Sequence, residues 1–119
     1  MIKTELLVND IITALDRHKA ENIVKIDLRK IPDCFCKFFI ICEGSSSSHV
    51  RSLAEITEEE IKENPGESPM HTEGTDNAEW IIMDYGDTVV HIFQKATRIY
   101  YNLEEFWSDA KLTKIKQTP

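Results

Sequence analysis

Little in this chain invites chemistry. It holds neither a Gly-x-x-x-x-Gly-Lys loop nor a Gly-x-Gly-x-x-Gly turn, so the common nucleotide-binding signatures are missing. No apolar run approaches the roughly 20 residues that a membrane span needs. The first ten residues carry Lys3 as their one basic group, without the basic-then-apolar layout of a signal peptide or the Arg/Ser-rich layout of a transit peptide. Cysteine is scarce and odd in number, three in all. With no secretory signal, the expectation is reduced thiols in a cytoplasm. Apart from Ser45–Ser48 there is no low-complexity tract and no internal repeat. A length of 119 residues fits one domain with a core of its own.

Metal and catalytic sets are equally thin. His18, His49, His71 and His91 show no pairing at helical spacing. His91 stands between Val90 and Ile92 on a candidate strand, where a core or interface histidine is the ordinary reading. Cys34, Cys36 and Cys42 would share one face of a single strand. Neighbours two apart on a strand sit roughly 7 Å from each other, too far for one zinc without a bend. A buried cysteine otherwise behaves as a small hydrophobe, so no metal is expected.

One turn needs more weight. Gly44-Ser45-Ser46 follows an apolar strand and precedes a helix, a geometry that suits phosphate. Nucleotidyltransferases use such a Gly-Ser turn together with an Asp-x-Asp pair that binds Mg²⁺. No such pair follows here: Asp84 and Asp87 are three apart across a turn, and Glu58 to Glu60 lie on a helix. Two-metal chemistry therefore lacks its holder. The ordinary alternative is serine capping of the helix.

What is present is patterned. Thr4 to Ala20 reads as an amphipathic helix with Leu7, Ile11 and Leu15 in its stripe. Ile23 to Arg29 alternates like a strand, and Cys34 to Cys42 reads as a central strand covered on both faces. A helix runs from the serines to about Asn64, stopped by Pro65-Gly66. A short strand near Met70 to Thr72 is followed by the clearest hairpin, Glu79–Tyr85 and Thr88–Phe93 around Gly86-Asp87. Trp80, Ile82 and Asp84 share one face of it; Ile81, Met83 and Tyr85 share the other. Thr97 to about Ala110 reads as one aromatic-rich helix. The sum is an α+β domain over residues 1–110, a mixed sheet with flanking helices, and a loose basic tail over 111–119.

The net charge of −7 is unevenly spread. Eleven acidic residues between Glu55 and Asp87 face one lysine, Lys62, while the rest of the chain is mildly basic. An acidic segment repels phosphate backbones and attracts basic proteins, although a merely solvated surface gives the same pattern. Basic patches interleaved with strand aromatics are absent, so little direct nucleic-acid binding is expected. Trp80 lies close to Glu79 and Asp84. A hairpin tryptophan serves a core or an interface, and the pattern alone leaves both open.

The hairpin also carries a resemblance. Glu73-Gly74, then Glu79-Trp80-Ile81-Ile82-Met83-Asp84-Tyr85-Gly86-Asp87, then Val89-Val90-His91-Ile92-Phe93-Gln94, closely resembles the signature of the ribosomal silencing factor (RsfS, or Iojap) family. Arg98, Tyr100-Tyr101, Leu103-Glu104, Trp107 and Asp109-Ala110 look like the block that follows it there. Asp27-Leu28, the apolar strand before Gly44 and Ser48-His49-Val50 match more loosely, so the likeness runs from about Leu6 to Ala110. Lys37 and Glu43 depart from it, standing where the family usually has aspartate and a small polar residue.

The resemblance implies a nucleotidyltransferase-like fold without the catalytic carboxylates, no cofactor and no enzymatic activity. It implies a cytoplasmic translation repressor that binds ribosomal protein L-fourteen of the large (50S) subunit and blocks joining of the small (30S) subunit, chiefly under nutrient limitation. A homodimer is also implied. Carried over by position, the partner-binding candidates are Trp80, Ile81, Ile82, Met83, Asp84, Tyr85 and Asp87, with Arg98 and Tyr101 on the last helix. The rival readings are a nucleotidyltransferase-like enzyme using the Gly44-Ser45 turn and a dimerising adaptor for another basic partner.

Overall fold

The structure is a computed structural model in which residues 2–117 are described, Ile2 by its backbone alone. Helix α1 spans Ile2–Arg17 and is followed by strand β1 (Glu21–Asp27) and strand β2 (Phe38–Gly44). Helix α2 (Ser47–Glu63) leads to strands β3 (His71–Glu73), β4 (Trp80–Asp84) and β5 (Thr88–Gln94). Two short helices, α3 (Lys95–Tyr101) and α4 (Leu103–Phe106), precede strand β6 (Lys111–Lys114).

The strands form one mixed sheet in the order β3-β4-β5-β2-β1-β6. Its central pair, β5 and β2, is parallel, with Ile41 opposite His91; the other neighbours are antiparallel. A parallel pair needs cover on both faces, and every residue of β2 is buried. The α+β class and the mixed sheet are as the sequence pattern implies.

Strand alternation gives the sheet two different faces. On one, α1 and α2 pack Leu7, Ile11, Leu15, Val50, Leu53 and Ile61 over Ile40, Ile81, Met83, Val90 and Ile92. These are aliphatic side chains with almost no exposure, each stabilising by roughly 1.5–3 kcal/mol when fully buried. Ser46 caps α2 by accepting a hydrogen bond from the His49 N–H at 3.1 Å, so the serines act as capping predicts. Gly44 lets strand and helix approach: a Cβ there would stand 2.8 Å from the Val50 nitrogen.

The second face holds Val24, Ile26, Phe39, Ile41, Val89 and Phe93. It is covered by the connection from Leu28 to Cys36 and by Leu103, Trp107 and Ala110.

Three expectations need correction. Cys34 to Lys37 is not strand: the chain bends at Phe35, and β2 begins at Phe38. Cys42 packs against the helix-covered face while Cys34 and Cys36 join the opposite one, so the three thiols do not converge. The aromatic helix is two helices, because Asn102 adopts a left-handed φ of 48° between them. The segment from Lys111, expected to be loose, is an edge strand. β6 pairs with β1, the Ile115 N–H donates to the Ile23 carbonyl at 2.9 Å, and Gln117 Nε2 donates to the Ala20 carbonyl. Lys-Leu-Thr-Lys has no apolar alternation to announce it; the open edge of β1 supplies the pairing. The rest of the expected tail, Thr118 and Pro119, lies outside the described residues.

Candidate functional site

The second face of the sheet is only partly closed, and its open part is aromatic. Trp80 on β4 is half-buried and lies opposite Phe93 on β5, stacked at 4.9 Å and 25°. Register also sets Ile82 opposite His91 and Asp84 opposite Val89. From Trp80 the ring contacts run in two directions. Tyr101 lies 4.8 Å from it and meets Tyr100 edge-on. The other way, His91 contacts Phe39 at 4.6 Å, Phe39 contacts Trp107 at 5.7 Å, and Trp107 contacts Phe106. Edge-to-face pairs at such distances contribute roughly 0.5–1.5 kcal/mol each beyond burial. The ends of this ribbon reach solvent: Tyr100 is 80% exposed, Phe106 76% and Tyr101 51%.

A buried hydrogen bond orients the centre. Trp80 Nε1 donates to His91 Nδ1 at 3.1 Å. An indole can only donate, so Nδ1 must be unprotonated and the neutral ring carries its proton on Nε2. That atom is buried and has no hydrogen-bond partner among the described residues. Burial pushes the His91 imidazole down to about 4, which keeps this acceptor available near neutral pH. Around Trp80 a groove of about 360 Å³ is lined by Gly74, Asp76, Asn77, Glu79, Thr97 and Tyr101. Gly74 is required there, with φ of +90° and space for a Cβ only 2.0 Å from the Trp80 carbonyl oxygen.

Behind the ribbon lies a buried charge cluster. The Arg98 guanidinium donates to Glu104 Oε2 at 2.6 and 3.1 Å, to Glu43 Oε2 at 3.2 Å and to the Asn22 carbonyl at 2.7 Å. It ties α3 to the ends of β1 and β2 and so sets where Tyr101 stands. Glu43, the departure from the family pattern, is thereby buried with a partner.

The candidates drawn from sequence divide accordingly. Trp80, Ile82, Asp84 and Tyr101 are brought together on the aromatic face. Ile81 and Met83 are fully buried beneath the helices, and Tyr85 belongs to the same core with its hydroxyl unpartnered and pushed up by burial. Their side chains are closed to a partner, because alternation on one strand cannot present neighbours to the same side. Arg98 is buried in its ion pairs rather than displayed. Asp84 accepts from the Gly86 N–H within the turn at 2.8 Å. Asp87 is exposed, with Thr4 Oγ1 donating to it and Lys37 Nζ at 3.7 Å.

Sequence reasoning missed His91, Phe39, Phe93, Trp107, Tyr100 and Phe106 as parts of this surface. The β5 alternation Val89-His91-Phe93 signalled the first and third. The others depend on which strand neighbours which.

The acidic third also divides. Glu55, Glu58, Glu59 and Glu63 are exposed on α2, across the sheet from the aromatic face. Glu60 is not merely solvated, since its carboxylate meets Arg17 at 2.7 Å and His18 at 2.6 Å.

The Gly44-Ser45 turn is occupied by its own chain. The Ser45 N–H donates to His49 Nδ1 at 2.9 Å. Among the described residues no group of three or more His, Cys, Asp or Glu side chains is placed to hold a metal. No helix among them is long and apolar enough to cross a membrane.

Residues 2–119 match the family described as ribosomal silencing factor during starvation. The chain is 39% identical over 102 residues to ribosomal silencing factor RsfS of Bacillus subtilis, covering 86% of this chain and 85% of that one. It superposes with a TM-score of 0.82 on a crystal structure of a protein from Chromobacterium violaceum, at 30% identity, covering 97% of this chain and 88% of that one. A mouse protein named mitochondrial assembly of ribosomal large subunit protein 1 is 28% identical over 76 residues, 62% of this chain and 33% of that one. With the family match spanning nearly every residue, the chain belongs to the ribosomal silencing factor family, which is regulatory and not enzymatic.

Proposed function

We propose that this protein docks on the large ribosomal subunit through the aromatic face around Trp80 and prevents the small subunit from joining. The protein it meets is the basic ribosomal protein L-fourteen, and the outcome is repression of translation, chiefly when nutrients are short. The observation that carries this reading is the ribbon itself. Rings that would otherwise seal a core are half-open here, held by the Trp80–His91 hydrogen bond and flanked by Glu79 and Asp84. Tryptophan and tyrosine with a charged rim are the usual makings of an interface hot spot. Carboxylates beside them suit a cationic protein surface and oppose bare nucleic acid.

The names of the relatives support a ribosomal partner, and the mouse relative's name supports the large subunit. Occlusion needs no chemistry, only overlap between the bound factor and the joining surface. A cytoplasmic setting follows from a cytoplasmic target. A homodimer is compatible with docking as long as Trp80 stays open.

Co-sedimentation with purified subunits tests the proposal. The protein should pellet with large subunits and not with small ones, and joined ribosomes should fall. Trp80→Ala should weaken binding by about 2 kcal/mol, roughly thirtyfold, while remaining folded. Undiminished binding by the folded variant would move the interface elsewhere. Binding to neither subunit would remove the ribosomal reading.

A further inference from the structure

A different chemistry sits in the connection between β1 and β2, and it does not rest on the docking proposal. The chain bends at Phe35, whose side chain is 80% exposed. The residues on either side of the bend therefore turn inward together. Cys36 is buried and Cys34 half-buried, both within the core of the aromatic face. An extended chain would hold their Cα atoms roughly 7 Å apart, at or beyond the roughly 4.4–6.8 Å that a disulfide bridges. The bend shortens that span, and the two thiols share a hydrogen bond. Cys42 cannot take part, because it is fully buried against the opposite face.

We propose that Cys34 and Cys36 form a redox modification site, a dithiol that a peroxide closes to a reversible intrachain disulfide. Cys34 is the more exposed sulfur and reacts first. Its thiolate attacks one peroxide oxygen, the O–O bond breaks, and a sulfenic acid forms. The departing hydroxide combines with the proton released by Cys34 to give water. The Cys36 sulfur then attacks the sulfenic sulfur and the S–O bond breaks. The leaving hydroxide takes the Cys36 proton and departs as a second water. Two electrons pass from the two thiols to the peroxide.

The division of labour has a physical cause. Burial holds the Cys36 thiol up at about 12, with the neighbouring Cys34 adding to the effect. Cys36 is thus a poor first nucleophile and is left to resolve the sulfenic acid. A bridge across one residue closes a ring too tight to relax fully, and strained disulfides are the readily reduced ones.

The test treats the reduced full chain with hydrogen peroxide, alkylates the remaining thiols and maps the tryptic peptides. Cleavage after Lys30 and Lys37 isolates Ile31–Lys37, which carries both cysteines and not Cys42. That peptide should lose the mass of two hydrogens and regain it with dithiothreitol, while Cys42 stays a free thiol. Cys36→Ser should stop closure and leave a Cys34 sulfenic acid that dimedone traps. Should that buried position not tolerate the change, Cys34→Ser at the half-buried position should abolish the loss in a protein whose circular dichroism is unchanged. An unaltered peptide, Cys34 carried to sulfinic acid without a bridge, or a bridge to Cys42 or a second chain would each overturn the proposal.

Discussion

The two faces of the sheet solve different problems with the same strands. Beneath α1 and α2 the side chains are aliphatic, and almost none of their surface is exposed. On the other side they are aromatic, ordered by hydrogen bonds and ion pairs, and open at the margin. Aliphatic packing stabilises without direction, whereas rings and charges hold particular orientations at a cost in desolvation. One face holds the molecule together. The other holds a surface in shape.

If that contrast is right, the largest effect should come from the charge cluster behind the ribbon. Arg98→Met leaves Glu43 buried without its cation, and about 3–5 kcal/mol of stability should be lost in urea unfolding. A loss under about 1 kcal/mol would mean that ring packing alone secures α3.

Next comes the aliphatic face. Ile81→Ala should cost about 3 kcal/mol of stability yet leave the folded protein's affinity for large subunits unchanged. Trp80→Ala, one residue away, should do the reverse, with the larger effect in binding. Equal effects of both substitutions on both measurements would erase the distinction between the faces.

Acid separates the faces in another way. The His91 pKa is depressed, from 6.5 unfolded to about 4 folded, so the folded state binds fewer protons over that window. Its contribution is present above pH 6.5 and is lost as pH falls through 4, on the order of 3 kcal/mol in total. Denaturation curves measured across that range should flatten in His91→Gln, which keeps an acceptor for the indole and does not titrate. An unchanged slope would place the acid sensitivity elsewhere.

The smallest effect is expected from α2. Replacing Glu58 and Glu59 with glutamine should shift both stability and affinity by less than about 0.5 kcal/mol, because both are exposed on the helix-covered side. A large loss of binding would put the interface on that side instead.

Much of the architecture was legible because it is periodic. Leu7, Ile11 and Leu15 mark α1 at helical spacing, and the hairpin announces itself through Gly86-Asp87 between alternating runs. Trp80, Ile82 and Asp84 were assigned to one face by alternation alone. Taking Ile81 and Met83 as partner contacts ignored that same alternation, because a motif lists neighbours without saying which way they point. The break at Asn102 was illegible, since a left-handed residue between two helical runs leaves no periodic trace. Strand β6 was hidden because its stability comes from pairing with β1 rather than from its own side chains.

By itself, then, the sequence determined the α+β class, most of the elements, the family and the residues of the signature hairpin. These follow from local spacing and from a motif contiguous in the chain. Only the tertiary structure decided that Phe39, His91, Phe93, Tyr101 and Trp107 join Trp80 in one surface, that Arg98 is locked behind it, and that Cys34 and Cys36 meet apart from Cys42. Those outcomes depend on strand order and on a single bend. Contacts between residues dozens of positions apart are selected by the packing of the whole sheet, and no local pattern encodes them.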